Sequence, residues 1–216
     1  MSGMKQGLTE ENRTSERDQR PACIILAGGQ SRRMGRNKAL LPVPGLSGVS
    51  FAQHLVSLCM ELTGEVLLVA ADAAAAEMYT HSIIPRPRVV FDDIPNQGPL
   101  MGLYCGLKAI RSSHALVAAV DLPALQPNLV NFLLTQPTKD ELVVPLVGGY
   151  PQVLLALYPR SILPIIARCL EQGRHNPRAL LDLVPVRYLD EAQLAAVDPG
   201  LRSFLNVNTP QDLQQL

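Results

Sequence analysis

The chain has 216 residues, a length suited to one α/β domain, and 47% of them are hydrophobic, enough for a sizeable core. Lys plus Arg and Asp plus Glu balance at 19 each, so no overall field draws the protein to nucleic acid or to an anionic membrane. Cys23, Cys59, Cys105 and Cys169 are widely spaced with no CxxC pair, which argues against a zinc site or disulfides and for buried thiols in a reducing cytoplasm.

Residues 1–20 are polar, carry both charge signs and lack the apolar core of a signal peptide. They read as a disordered extension, with one folded domain over 21–216. No apolar run approaches the roughly 20 residues that span a bilayer. The run Ala22–Leu26 predicts a buried strand. Phe51, Leu55, Leu58, Cys59 and Leu62 recur at helical spacing and predict a helix over 51–62. A strand over 66–70, an Ala-rich helix over 72–78 and a strand over 89–91 come next, the last ending at Asp92-Asp93. A helix carries Leu100, Leu103, Tyr104, Leu107 and Ile110, and a strand over 115–120 ends at Asp121. Pro127 suits the first position of the next helix. Further on, strands are expected over 141–146 and 152–157 about a Gly148-Gly149 turn, with helices over 159–171 and 176–183. Residues 204–207 read as a short strand, and Thr209 to Asp212 as the start of a last helix.

Alternating strands and helices predict a single-domain, Rossmann-like α/β three-layer sandwich with a mostly parallel central sheet. Ligands bind such sheets beyond the C-terminal ends of the strands. Gly28-Gly29, Asp92 and Asp121 all fall at strand ends and are expected to face one crevice.

The segment after the first strand, Gly28 to Lys38, carries Arg32, Arg33, Arg36 and Lys38 beside two adjacent glycines. Glycines allow close backbone approach to a ligand, and the cations suit phosphate oxygens. The segment reads as a polyphosphate cradle; the bland reading is a glycine turn with solvated arginines. It matches neither GxxxxGK[ST] nor GxGxxG, so neither a P-loop NTPase nor a dinucleotide-binding dehydrogenase is supported. Asp121 is either a Mg²⁺ ligand completed by substrate phosphates or a turn residue. Asp92 carries the same ambiguity, and Asp93 reads as its solvated neighbour. His54, His81, His114 and His175 read as structural or solvated, and Ser31 and Ser203 have no identifiable base.

Four stretches in order, Leu26-Ala-Gly-Gly-x-Ser-x-Arg-Met-Gly-x-x-Lys38, Gly98-Pro-Leu-x-Gly102, Asp121-x-Pro123 and Ser203-Phe-x-Asn-Val-Asn-Thr-Pro-Gln-Asp-Leu213, resemble the molybdenum cofactor guanylyltransferases of the MobA type. These belong to the nucleotide-diphospho-sugar-transferase-like fold group. The resemblance implies Mg²⁺-dependent transfer of GMP from GTP to the phosphate of molybdopterin, with release of pyrophosphate. It implies nucleotide contacts from Leu26, Ala27, Gly28, Gly29, Lys38, Asp92 and Asp121, with Asp121 also the metal ligand. Lys38, Asp121 and Arg33 form the implied catalytic set, and Asn206 and Asn208 lie on the pterin side. The family often has an asparagine after its second strand, whereas this chain has Ala70-Ala71-Asp72. Transient contact with a molybdoenzyme or an insertion protein is a further implied partner. The alternatives are cytidylyl or other nucleotidyl transfer to a phosphorylated metabolite, or a nucleotide-binding regulatory protein without turnover. Retention of both Lys38 and Asp121 weighs against the last.

Overall fold

The computed structural model describes residues 20–28, 37–137, 139–207 and 212. Its first half alternates as the periodicities predict: β1 (Ala22–Leu26), α1 (Phe51–Leu62), β2 (Val66–Ala70), α2 (Ala73–Ser82), β3 (Arg88–Phe91), α3 (Pro99–Ala109), β4 (His114–Ala119) and α4 (Pro127–Leu134). The helix starts result from their caps. Ser50 accepts a hydrogen bond from the Gln53 amide, and Asp72 accepts one from the Ala75 amide at 2.8 Å. Pro99 and Pro127 open their helices at positions where the missing N–H costs nothing.

β3, β2, β1 and β4 lie side by side in that order and all run parallel. The chain thus moves outward from β1 to β3, then α3 carries it back so that β4 lands on the other flank of β1. This reversal leaves a crevice beyond the C-terminal ends of β1 and β4, the place where open α/β sheets bind ligands.

Side chains alternate across each strand. Cys23 and Ile25 pack with Phe51 and Leu55 of α1, Tyr79 of α2 and Leu129 of α4. Ile24, Leu26, Val69 and Val117 face the other way, onto Leu100, Leu103 and Leu107 of α3. The result is the expected three-layer sandwich. α3 lies so close to β1 that a Cβ at Gly106 would sit 2.7 Å from Ile24 Cγ2, so only glycine fits this crossing.

The second half departs from the sequence reading. β5 (Leu142–Val147) turns through Gly148-Gly149 into a two-residue β6 (Tyr150–Pro151), and β7 (Leu155–Pro159) then runs antiparallel to both β4 and β5. The expected hairpin arm over 152–157 is therefore split and shifted. The helix expected from 159 begins later, as a 3₁₀ turn over 160–162 followed by α5 (Leu163–Glu171). Pro159 is taken by β7, and Pro164 supplies the helix start. The expected helix over 176–183 is a single 3₁₀ turn, Pro177–Leu180.

Two elements have no counterpart in the sequence reading. β8 (Val186–Leu189) pairs parallel with β5, and α6 (Glu191–Ala195) comes after it behind an Asp190–Gln193 capping box. The expected strand over 204–207 is instead a 3₁₀ turn, Arg202–Phe204, followed by extended chain. The last helix expected from Thr209 lies outside the described residues, as does the extension over 1–19.

Candidate functional site

The crevice at the β1/β4 reversal holds two adjoining cavities. The first, about 240 Å³, is lined by Leu26, Ala27 and Gly28 after β1, by Asn37 and Lys38, and by Ala119 to Asp121 after β4. The second, about 330 Å³, is lined by Asp121, Leu122, Gln152, Asn176, Arg178, Phe204 and Asn206, among others. Pro99, Asp121 and Leu154 belong to both walls. Asp121 is the charged group at the junction, and the Lys38 ammonium stands 3.5 Å from its Oδ2, with both side chains largely sheltered. In such a setting the two charges are less screened than on open surface.

Backbone contacts explain why distant segments meet here. The Val120 amide donates to the Leu26 carbonyl at 3.0 Å, which sets the two strand ends side by side. The Val207 amide donates to the Asp121 carbonyl at 3.0 Å and brings Asn206 to the second cavity. At the start of α3, the Leu100 amide donates to the His175 carbonyl at 3.1 Å, which draws Asn176 and Arg178 to the same wall. Gly98 makes that approach possible. Its φ is +73°, and a Cβ there would lie 3.0 Å from the His175 carbonyl oxygen.

The structure therefore brings together Leu26, Ala27, Gly28, Lys38, Asp121 and Asn206. Gly29, Arg33 and Asn208 lie outside the described residues. Gln152 and Arg178 line the crevice although no sequence motif marks them. Asn176, in sequence only a helix cap, does accept the Arg178 amide at 2.9 Å, and it also faces the second cavity. Pro99 lies within the Gly98-Pro99 motif, which is the one local signal for this wall. Asp72, which stands near the family's asparagine, is engaged in capping α2.

Asp92 is the other strand-end carboxylate expected at the crevice. It ends β3, where its amide donates to the Ala70 carbonyl, and it lines neither cavity. A Cβ at Gly102 would lie 3.3 Å from both Asp92 Oδ1 and Leu26 Cδ2, so the carboxyl packs against α3 beside Leu26, which lines the first cavity. The residue is 8% exposed, and Oδ1 has no hydrogen-bond partner among the described residues. Burial first, then the charges of Asp93 and Asp72, push its pKa up to about 7.

Because this value is raised in the fold, the folded chain binds more protons than the unfolded chain between about pH 4 and pH 7. The associated stability is present below that window and lost as pH rises through it. Asp92→Asn, a mimic of the protonated form, should thus be more stable than the parent chain at pH 8, by about 2–4 kcal/mol, with the difference shrinking toward pH 4. Denaturant midpoints of both proteins across this range test it, and parallel pH curves would contradict it.

Ser31 lies outside the described residues, and other candidates have structural occupations. His81 and His114 each meet a backbone carbonyl through a ring nitrogen. Burial lowers the pKa of His54 on α1. Ser203 is fully buried, and its hydroxyl accepts the Gln126 amide. The four cysteines are buried free thiols.

Residues 23–205 match the family model described as a MobA-like NTP transferase domain. The chain belongs to this family. A Chloroflexus aggregans relative named "Probable molybdenum cofactor guanylyltransferase" is 35% identical, over 88% of this chain and 90% of its own length. The molybdenum cofactor guanylyltransferase of Desulfosudis oleivorans is 30% identical, over 89% and 92% respectively. Among solved structures, molybdopterin-guanine dinucleotide biosynthesis protein A from Archaeoglobus fulgidus superposes with a TM-score of 0.76 at 24% identity, covering 90% of this chain and 95% of that one. The last likeness shows the fold alone, the three-layer α/β sandwich.

Proposed function

We propose that this chain transfers GMP from GTP to the terminal phosphate of molybdopterin, releasing pyrophosphate. The observation that carries the reading is the position of Asp121 on the shared wall of two cavities, 3.5 Å from Lys38. A transferase joining two phosphorylated molecules needs such a double site.

The first cavity is the nucleotide side. Leu26, Ala27 and Gly28 offer close backbone approach, and Lys38 supplies a point charge for phosphate oxygens. Asp92, beside Leu26 at Gly102, supports the nucleotide side. Gly29 and Arg33 join this side by family resemblance. The second cavity is the acceptor side, where Arg178 offers a guanidinium and Gln152, Asn176 and Asn206 offer amides to a phosphorylated pterin. Asn208 joins it by resemblance.

An acceptor phosphate oxygen attacks the α-phosphorus of GTP, a new P–O bond forms, and the bond to the bridging oxygen breaks with its electron pair leaving on pyrophosphate. A phosphate monoester is largely dianionic at neutral pH, so no histidine is required as base. The work left to the protein is to bring two polyanions together and to balance charge.

A carboxylate in a phosphate-binding crevice fits Mg²⁺, which takes one or two carboxylates together with substrate phosphates. Asp121 is that carboxylate. Among the described residues no group of three or more His, Cys, Asp or Glu is placed to hold a metal unaided, which is consistent with a cation that arrives with the nucleotide. When bound, it neutralises phosphate charge and orients the triphosphate. Four buried free thiols favour a reducing compartment, so the reaction is assigned to the cytoplasm.

Incubation with molybdopterin, Mg²⁺ and either α-labelled GTP or α-labelled CTP tests the reading. Label should pass to the pterin from GTP. Transfer from CTP alone would reassign the base, and tight GTP binding without transfer from either would point to a regulatory nucleotide-binding protein.

A further inference from the structure

The hydroxyl of Tyr79 joins two pieces of chain that flank the nucleotide side of the crevice. Its ring, on α2, is 1% exposed and packed in the core. Its oxygen accepts from Asn37 Nδ2 at 2.9 Å, and its one proton is within reach of two acceptors, the Ala27 carbonyl at 3.3 Å and Asn37 Oδ1 at 3.1 Å. A phenol has one proton and accepts readily, so it holds Asn37 through Nδ2 while its proton is directed to Ala27. Asn37 Oδ1 in turn accepts the Ala39 amide at 3.0 Å and caps the 3₁₀ turn Lys38–Leu40. An unbroken line of hydrogen bonds therefore runs from Ala27, through Tyr79 and Asn37, to the turn that carries Lys38. Burial pushes the phenol pKa up, which keeps the proton available as a donor.

Ala27 and Lys38 both line the first cavity, and the Tyr79 hydroxyl is a buried side-chain link between the two segments that carry them. We propose that Tyr79 is a positioning residue that sets the spacing of Ala27-Gly28 and Asn37-Lys38, and through it the affinity of the first cavity for a nucleoside triphosphate. Tyr79 touches no substrate. It acts by holding the groups that do, and the inference rests on the nucleotide reading of that cavity.

The discriminating variant is Tyr79→Phe, which keeps the buried ring and removes only the hydroxyl. Loss of a bridge of this kind is expected to raise the GTP dissociation constant, measured by calorimetry, and the KM for GTP by roughly tenfold. The acceptor KM should stay unchanged, and kcat should stay within about twofold. Asn37→Ala, at a half-buried position, removes the same bridge from its other end. Asn37 also lines the first cavity and caps the Lys38–Leu40 turn, so its own loss is larger, but adding Tyr79→Phe should cause no loss of GTP affinity beyond that of Asn37→Ala alone, because one line of bonds is cut twice.

Equal GTP binding by Tyr79→Phe and the parent chain would overturn the inference alone. So would a matched rise in both KM values with a lower melting temperature, the pattern of a merely structural residue. Additive losses in the double variant would overturn it as well. Absence of GTP binding by the parent chain would remove the nucleotide reading and this inference with it.

Discussion

Asp121→Asn is expected to lower turnover by roughly 100-fold or more while leaving the fold intact. The substitution keeps the shape of the side chain and removes its charge. The backbone carbonyl of residue 121, which accepts the Val207 amide, is untouched, so the C-terminal stretch stays docked. An asparagine oxygen also still accepts from Lys38, although without the ionic component of the 3.5 Å pair. The loss is the one carboxylate, among the described residues, common to both cavities, and with it the group best suited to a hard cation between two polyanions. Steady-state kinetics with GTP and the acceptor give the first readout. Titration of GTP with and without Mg²⁺ gives the second, and the Mg²⁺-dependent gain in affinity should shrink. Undiminished turnover would remove Asp121 from the machinery.

Lys38→Ala should weaken GTP binding or transfer by roughly 10- to 100-fold, the scale of losing a charge-assisted contact to phosphate. The side chain lines the first cavity and stands beside Asp121. Its removal withdraws positive charge from the nucleotide side and leaves the carboxylate less compensated, so both KM for GTP and kcat are expected to suffer. The acceptor KM is read in parallel. Because the 3₁₀ turn that carries Lys38 is capped by the Asn37 side chain on the Ala39 amide and not by the lysine side chain, truncation should not unfold the turn; a melting curve checks this. Unchanged kinetics would place Lys38 outside the site. Arginine is a poor replacement here, because its planar fork differs from a compact ammonium.

The site is legible in the sequence where its residues lie at strand ends. Ala22–Leu26 and Ala115–Val120 are short apolar runs, and in an alternating chain the residues just after such runs gather along one edge of a parallel sheet. Gly28, Lys38 and Asp121 can be placed on a common crevice for that reason. Asp92 shows the limit of the argument. It too ends a strand, yet β3 is two strands away from β1, and its carboxyl packs against α3 at Gly102 and lines neither cavity. Arg178 shows the opposite limit. Nothing in Asn176-Pro177-Arg178 beyond a helix start marks it as part of a ligand wall, and its place comes from the contact between His175 and the start of α3.

The departures in the second half have a common cause. Val186–Leu189 is only four residues long and becomes a strand by pairing with β5, and strand formation depends on neighbours more than on intrinsic preference. Pro159 reads as a helix start because a proline commonly opens one; here Pro164 fills that role, and Pro159 ends a strand paired on both sides.

Local windows of sequence thus determined the alternating first half, the caps, the family and the glycine- and cation-rich character of one ligand side. Those properties depend on side-chain periodicity and on bonds between residues a few positions apart. Tertiary structure alone decided that Asp121 stands on a wall shared by two cavities, that Asn206 and Arg178 meet it there, and that Tyr79 links Ala27 to Asn37. These arrangements rest on hydrogen bonds and close packing between segments far apart in the chain, and no pattern within any one segment encodes them.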